Sequence, residues 1–216
     1  AQGIPQGVDD HGFLVSLSDH IQSTYQTSSE CVFTCGFSNG GFMSLSLACN
    51  ESEHFKAFGS VGGLMSDYDY NYCNPSQSTP IIQIHGTSDG TVNYYNGVGF
   101  ALWGYEGVES IMNLWEDNLG TTESITVNSI YNGSVDFIRK YSASDNAEFH
   151  HYRVNGGAHT WFGQNTFLGL NSSEIIWEFF ASYCETSNSI DPMDVSRYNE
   201  KSLRKKIDAL GREVNH

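Results

Sequence analysis

The stretch "CVFTCGFSNGGFMSLSLAC" (residues 31–49) runs a β-rich segment into Gly36-Phe37-Ser38-Asn39-Gly40-Gly41 before a helical pattern begins. Glycine loses more backbone freedom on folding than any other residue, so three around one serine imply a sharp bend or a very close approach. Strand, G-x-S-x-G, helix is the pattern of a nucleophile elbow. Its strained turn lifts the serine hydroxyl clear of the sheet edge, and the glycines prevent clashes in that turn. The N-terminus of the following helix and the backbone N–H of Asn39 would then point to where an oxyanion forms.

A serine at its ordinary pKa is a poor nucleophile and needs a base that is itself oriented by a carboxylate. With an elbow of this kind the chain order is Ser, then Asp or Glu, then His. "PIIQIHGTSDGTVNYY" (80–95) offers Asp89 in a loop just past a strand, where open α/β sheets carry their functional groups. "YRVNGGAHTWFG" (152–163) offers His159, again just past a strand and on a glycine-softened loop. Ser38, Asp89 and His159 stand in the required order. Trp161, two residues past His159, is expected to wall a substrate cleft.

Other titratable residues fit bland roles better. His85 precedes Asp89, the wrong order for the base, and reads as a structural residue at a strand end. His150 and His151 are adjacent, so they face opposite sides of a strand. Asp117 belongs to a solvated helix face, and Asp9 and Asp10 to a helix cap. Asp67 and Asp69, in "SDYDYNYC" (66–73), read as part of a tyrosine-rich surface loop rather than a metal site.

Around these motifs, Phe13, Leu14, Leu17 and Ile21 recur at helical spacing behind a Val8-Asp9-Asp10 start. "CVFTC", "FGSVGGLM" (58–65) and "PIIQIHG" read as strands, the first of them buried, and residues 42–49 as a helix. "ESIMNLWEDNLG" (109–120) is expected to be a helix with Ile111, Leu114 and Trp115 on one face and Gly120 at its end. "FIRKYSAS" and "EFHHYRVNGG" resemble a strand pair, and "SSEIIWEFFASYC" a final helix opened by Ser172-Ser173-Glu174. Strands alternating with helices predict an α/β fold with a mostly parallel sheet flanked by helices.

The chain has 216 residues, 39% of them hydrophobic, enough for a sizeable core. No apolar run reaches the ~18 residues of a membrane span, and "AQGIPQGVDD" has neither the basic start nor the apolar stretch of a signal peptide. The net charge of −15 is unevenly held: residues 1–185 carry 20 acidic and 4 basic side chains, residues 186–216 carry 5 and 6. So acidic a surface repels phosphate backbones and argues against a nucleic-acid partner; it suits a salty or extracellular setting. The charge shift predicts a domain over 1–185 and a linker with a tail over 186–216. Five cysteines leave at least one without an intrachain partner. Cys31 and Cys35, on one strand, would lie ~13 Å apart, too far for a disulfide. Cys49 and Cys73 can pair, and roles for Cys31, Cys35 and Cys184 stay open. With no Cys-x-x-Cys and no Cys/His ligand cluster, no metal or other cofactor is expected.

"VDDHGFL", "GFSNGGFMS", "PIIQIHGTSDGTVNYY" and "NGGAHTWFG" resemble, in order and near spacing, the motifs of the polyhydroxybutyrate depolymerase / feruloyl esterase group of the α/β-hydrolase superfamily. The resemblance covers about residues 5 to 184. It implies Ser38 as nucleophile, Asp89 as orienting acid, His159 as general base and a Cys49–Cys73 bridge. It further implies action on ester bonds of extracellular polymers: polyesters, or feruloyl and acetyl groups on plant polysaccharide. "KSLRKKIDALGREVNH" (201–216) is similar to the opening of the C-terminal sorting domain of type IX secretion, which implies export by that machinery. The group places several strands and a His-Gly-type loop, which donates a second oxyanion N–H, before its elbow; only 37 residues precede Ser38 here. The expectation is a piece of a longer secreted esterase, with an exposed sheet edge. The competing readings are a non-catalytic polymer-binding derivative of such an enzyme and a peptidase using the same triad.

Overall fold

The computed structural model describes residues 8–98, 104–121, 123–142, 145–163 and 169–184. The chain divides into units Ala1–Cys184 and Glu185–His216, and the tail predicted over 186–216 lies outside the described residues.

Helix α1 (Asp10–Tyr25) begins at Asp9, whose side chain accepts the Gly12 N–H and so satisfies one of the open donors of a helix start. After a 3₁₀ turn (Ser29–Cys31), strand β1 (Phe33–Phe37) leads through Ser38 into α2 (Asn39–Asn50). Then come β2 (Ala57–Val61), β3 (Met65–Ser66), α3 (Asp67–Tyr72) and β4 (Ile81–Gly86). Strands β5 (Asn96–Val98) and β6 (Gly104–Glu106) precede α4 (Val108–Leu119), β7 (Glu123–Ser129), the short α5 (Ile130–Gly133), β8 (Val135–Ser142), β9 (Asp145–Val154) and α6 (Ser172–Ser182).

The main sheet has the order β1-β2-β4-β9-β8-β7. Pairs β1/β2, β2/β4 and β4/β9 are parallel, whereas β9/β8 and β8/β7 are antiparallel. Strands β2 and β4 are buried along their whole length because helices cover both faces, as parallel central strands require. On one face α2 and α4 bury Leu45, Ile111 and Trp115 with Phe58 and Ile81 in the core. On the other, Gly59 lets α6 approach: a Cβ there would lie 3.3 Å from the Phe180 ring and 3.4 Å from Ile176. β3, β5 and β6 form a separate small sheet.

Several local expectations are corrected. Strand β1 starts two residues later than "CVFTC" suggests and is only partly covered, because it ends the sheet and α1 does not seal it. Of the predicted α1 stripe, Phe13, Leu17 and Ile21 are exposed and only Leu14 packs toward the core, joined there by Val15 from outside the stripe. The cap of α6 is Asn171, whose side chain accepts the Ser173 and Glu174 N–H groups, not the serine pair. "SDYDYNYC" is no surface loop: it folds as α3, capped by Ser66, with Asp69 buried and accepting the hydroxyls of Ser46 and Ser66. Cys31 lies outside β1 and bridges to Cys184, with Cα atoms 4.7 Å apart. Cys49 and Cys73 are bridged at 4.9 Å, and Cys35 is a free thiol.

Candidate active site

Ser38 sits at the end of β1 with φ 55° and ψ −117°. Such a left-handed conformation costs a non-glycine residue about 1–3 kcal/mol unless its surroundings enforce it. They do here. The Ser38 N–H donates to the Val61 carbonyl at 2.9 Å, and its carbonyl accepts from Gly41 and Phe42, the first turn of α2. A Cβ on Gly36 would collide with the Gly40 backbone, and one on Gly41 would lie 2.5 Å from the Ser60 hydroxyl. Gly36 and Gly41 are therefore demanded by contact, whereas a Cβ on Gly40 would meet nothing within 4 Å. Asn39 opens α2, where the first backbone N–H groups have no intrahelical acceptor.

Asp89 and His159 reach Ser38 on two laced loops. The Thr87 N–H donates to the Val154 carbonyl, the Ser88 N–H to the Gly157 carbonyl, and the Gly156 N–H to the Thr87 hydroxyl, each at 2.9 Å. Gly86 and Gly157 touch backbone to backbone, which leaves no room for a side chain at Gly86. The imidazole of His159 then spans the remaining gap. Its Nδ1 lies 2.7 Å from Asp89 Oδ2 and its Nε2 lies 2.9 Å from Ser38 Oγ. A carboxylate only accepts, so Nδ1 carries the proton and Nε2 is free to take one from the serine.

Asp89 is 3% exposed. Burial pushes its carboxyl up, but His85, His159 and the N–H groups of Val92 and Thr91 donate to it and together hold it down at about 2. Both N–H bonds are 2.8 Å long. It is thus a fixed anion at neutral pH, able to orient the imidazole and to stabilise its charged form.

Trp161, two residues past His159, is half-buried, and its indole N–H donates to the Ser173 hydroxyl at 3.1 Å. His150 and His151 point to opposite faces of β9, away from Ser38. His150 contacts Glu148 at 2.7 Å; His151 accepts the Tyr94 hydroxyl at 2.8 Å and donates to the Gln83 carbonyl. Among the described residues no cluster of three or more His, Cys, Asp or Glu side chains could hold a metal, and no helix is long and apolar enough to cross a membrane.

Sequence reasoning missed Phe37, whose ring lies on the His159 imidazole, and Gly62, whose φ of 60° brings backbone against the same ring. The second had a faint signal in the Gly62-Gly63 pair; the first had none, since any residue fits between Gly36 and Ser38 in the motif.

Residues 15–104 match the model of the phospholipase/carboxylesterase family. A probable feruloyl esterase C of Aspergillus clavatus is 32% identical over 96 residues, 44% of this chain and 34% of that protein, so the match spans about a third of the relative's length. Among solved structures, the acetyl xylan esterase from Aspergillus awamori is similar with a TM-score of 0.55 and 14% identity, covering 80% of this chain and 67% of that one. The Bacillus cereus carboxylesterase follows at a TM-score of 0.50 and 14% identity, covering 85% of this chain and 66% of that one. The fold is that of an α/β-hydrolase.

Proposed function

We propose that the chain is a serine carboxylic-ester hydrolase with Ser38 as nucleophile, His159 as general base and Asp89 as orienting acid. The observation that carries this reading is the unbroken run Asp89 Oδ2–His159 Nδ1, 2.7 Å, and His159 Nε2–Ser38 Oγ, 2.9 Å. Ser38 Oγ attacks the ester carbonyl carbon while its proton passes to Nε2. The oxyanion that forms is met by the Asn39 N–H at the positive end of α2. The imidazolium then protonates the departing alcohol, and water, activated by the same Nε2, hydrolyses the acyl-enzyme.

The substrate class we favour is an ester on a polymer, feruloyl or acetyl groups on polysaccharide ahead of a polyhydroxyalkanoate-type polyester. The names of the curated and structural relatives support that order, and Trp161, half-buried two residues past His159, would supply an aromatic wall for such a group. Two disulfides support an oxidising, extracellular or cell-surface setting. In this reading residues 1–185 form the hydrolase domain and 186–216 a linker with a type IX sorting tail.

Ser38→Ala tests the proposal. It is expected to abolish hydrolysis of short p-nitrophenyl esters and labelling by a fluorophosphonate while the fold is retained. A variant that keeps the wild-type rate overturns the nucleophile assignment. Feruloyl, acetyl and hydroxybutyrate esters compared side by side rank the substrates.

A further inference from the structure

We infer that His85 and Gln83 are positioning residues for the Ser38–His159–Asp89 triad, holding Asp89 from behind and tying it to the backbone beneath the elbow. The inference rests on the hydrolase reading above.

Gln83 and His85 are two apart on β4, so they share a face, and both are fully buried. The Gln83 amide is oriented without ambiguity: its Nε2 lies 2.8 Å from the Gly63 carbonyl, which only accepts. The second N–H of that amide is directed at His85 Nδ1, 3.4 Å away. Nδ1 therefore accepts, and the proton sits on Nε2. That Nε2–H points between the Val92 carbonyl at 2.9 Å and Asp89 Oδ2 at 3.4 Å. Asp89 Oδ2 is the same oxygen that receives His159.

Gly63, at the other end of this chain, lies directly under the nucleophile. A Cβ on it would come within 2.5 Å of the Ser38 carbonyl and 2.7 Å of Gly41 Cα. The contacts thus close a ring: elbow backbone, Gly63, Gln83, His85, Asp89, His159, Ser38. One side moves the proton, and the other sets the spacing between serine and carboxylate. A cost marks the second side. Gln83 Oε1 is buried with no partner among the described residues, and a protein that needed only a stable core would place an apolar side chain there. A network held at that cost specifies geometry.

The test compares wild type, His85→Phe, His85→Gln and Gln83→Met. The readouts are kcat and KM for a p-nitrophenyl ester and the downfield proton resonance of His159 Nδ1–H, assigned by its loss in His159→Gln. His85→Phe is expected to lower kcat about tenfold or more with KM within twofold, and to broaden or remove the resonance. His85→Gln, whose amide N–H reaches the place of Nε2–H, is expected to recover most of both. Gln83→Met is expected to act in the same direction, more weakly. The inference is overturned if His85→Phe keeps kcat within twofold and the resonance intact, or if a folded His85→Gln does no better than His85→Phe. Should His85→Phe not fold, an unchanged kcat and resonance in Gln83→Met overturns it equally. If wild type shows no Ser38-dependent hydrolysis, the hydrolase reading fails. The resonance then decides alone: lost in His85→Phe and restored in His85→Gln sustains the positioning role, and retained in both refutes it.

Discussion

The ring of Phe37 lies against the imidazole of His159, centroids 4.7 Å apart and planes 34° from parallel. The residue next to the proposed nucleophile therefore limits where its base can swing. Phe37→Ala should lower kcat roughly tenfold by loosening the His159–Ser38 alignment. Because the side chain is 36% exposed, the melting temperature should change little. Steady-state kinetics and a thermal melt on one preparation check both halves.

Asp89→Asn should cut kcat/KM on the order of 10³–10⁴-fold, since a neutral amide neither holds the Nδ1–H tautomer nor stabilises the imidazolium. Stability should respond too. The folded pKa of about 2 is below the unfolded value, so this group's contribution is full above about pH 4 and is lost as pH falls toward 2. It amounts to about 2 kcal/mol. Urea unfolding at pH 4 and pH 2 should show that this share of the acid sensitivity is gone in the variant.

Gly62→Ala and Gly120→Ala separate strain from function. Both glycines have positive φ, 60° and 57°, so each alanine should cost about 1–2 kcal/mol. Only at Gly62 would the new Cβ meet Phe37 at 3.2 Å and His159 Nδ1 at 3.4 Å; at Gly120 nothing lies within 4 Å. Activity should fall in the first variant and persist in the second. Equal activity in the two would remove Gly62 from the site.

Burial pushes the His151 imidazole down to about 3, against the Gln83 carbonyl that accepts its Nδ1–H. Its unfolded form takes up a proton near pH 6.5 while the folded form does not, so stability should drop as pH falls from about 6.5 toward 3. Between pH 7 and pH 5 the loss from this residue is about 2 kcal/mol. His150 is shifted the same way by its burial and adds to the loss. Chemical denaturation at the two pH values measures it; a flat profile would contradict the buried, neutral His151.

Cys31→Ser with Cys184→Ser opens a bridge between residues 153 apart in sequence. Closing so long a loop restricts the unfolded chain, and its loss should cost about 2–4 kcal/mol. Neither sulfur touches Ser38, Asp89 or His159, so activity under folding conditions should survive. Denaturant midpoints with and without the bridge give the number.

Much of the architecture was legible because its signals are local. The Gly36–Gly41 cluster, the continuous apolar run at Ile81–Ile84 and the Ile111/Trp115 spacing each report what one segment needs from its own backbone or face. The failures are equally physical. Cap choice at α6 fell to Asn171 over the serines because capping depends on the angle of chain entry, which the preceding loop sets. The sequence around Asp69 reads as a surface loop because the partners that bury it, Ser46 and Ser66, come from α2 and the end of β3. The exposure of Phe13 and Leu17 depends on what packs over α1, and a helical period shows only that an apolar face exists.

The amino-acid order by itself determined the strained turn at Ser38, the residue types that serine chemistry requires, and the sequence Ser38, Asp89, His159. Neighbouring residues impose those demands on one another. Tertiary structure alone decided that atoms 121 and 70 residues apart close to 2.9 and 2.7 Å, that Cys31 finds Cys184, and that Gln83 and His85 stand behind Asp89. Those distances follow from which strands pair and in what register, a choice made by the packing of the whole sheet and spelled out in no single segment.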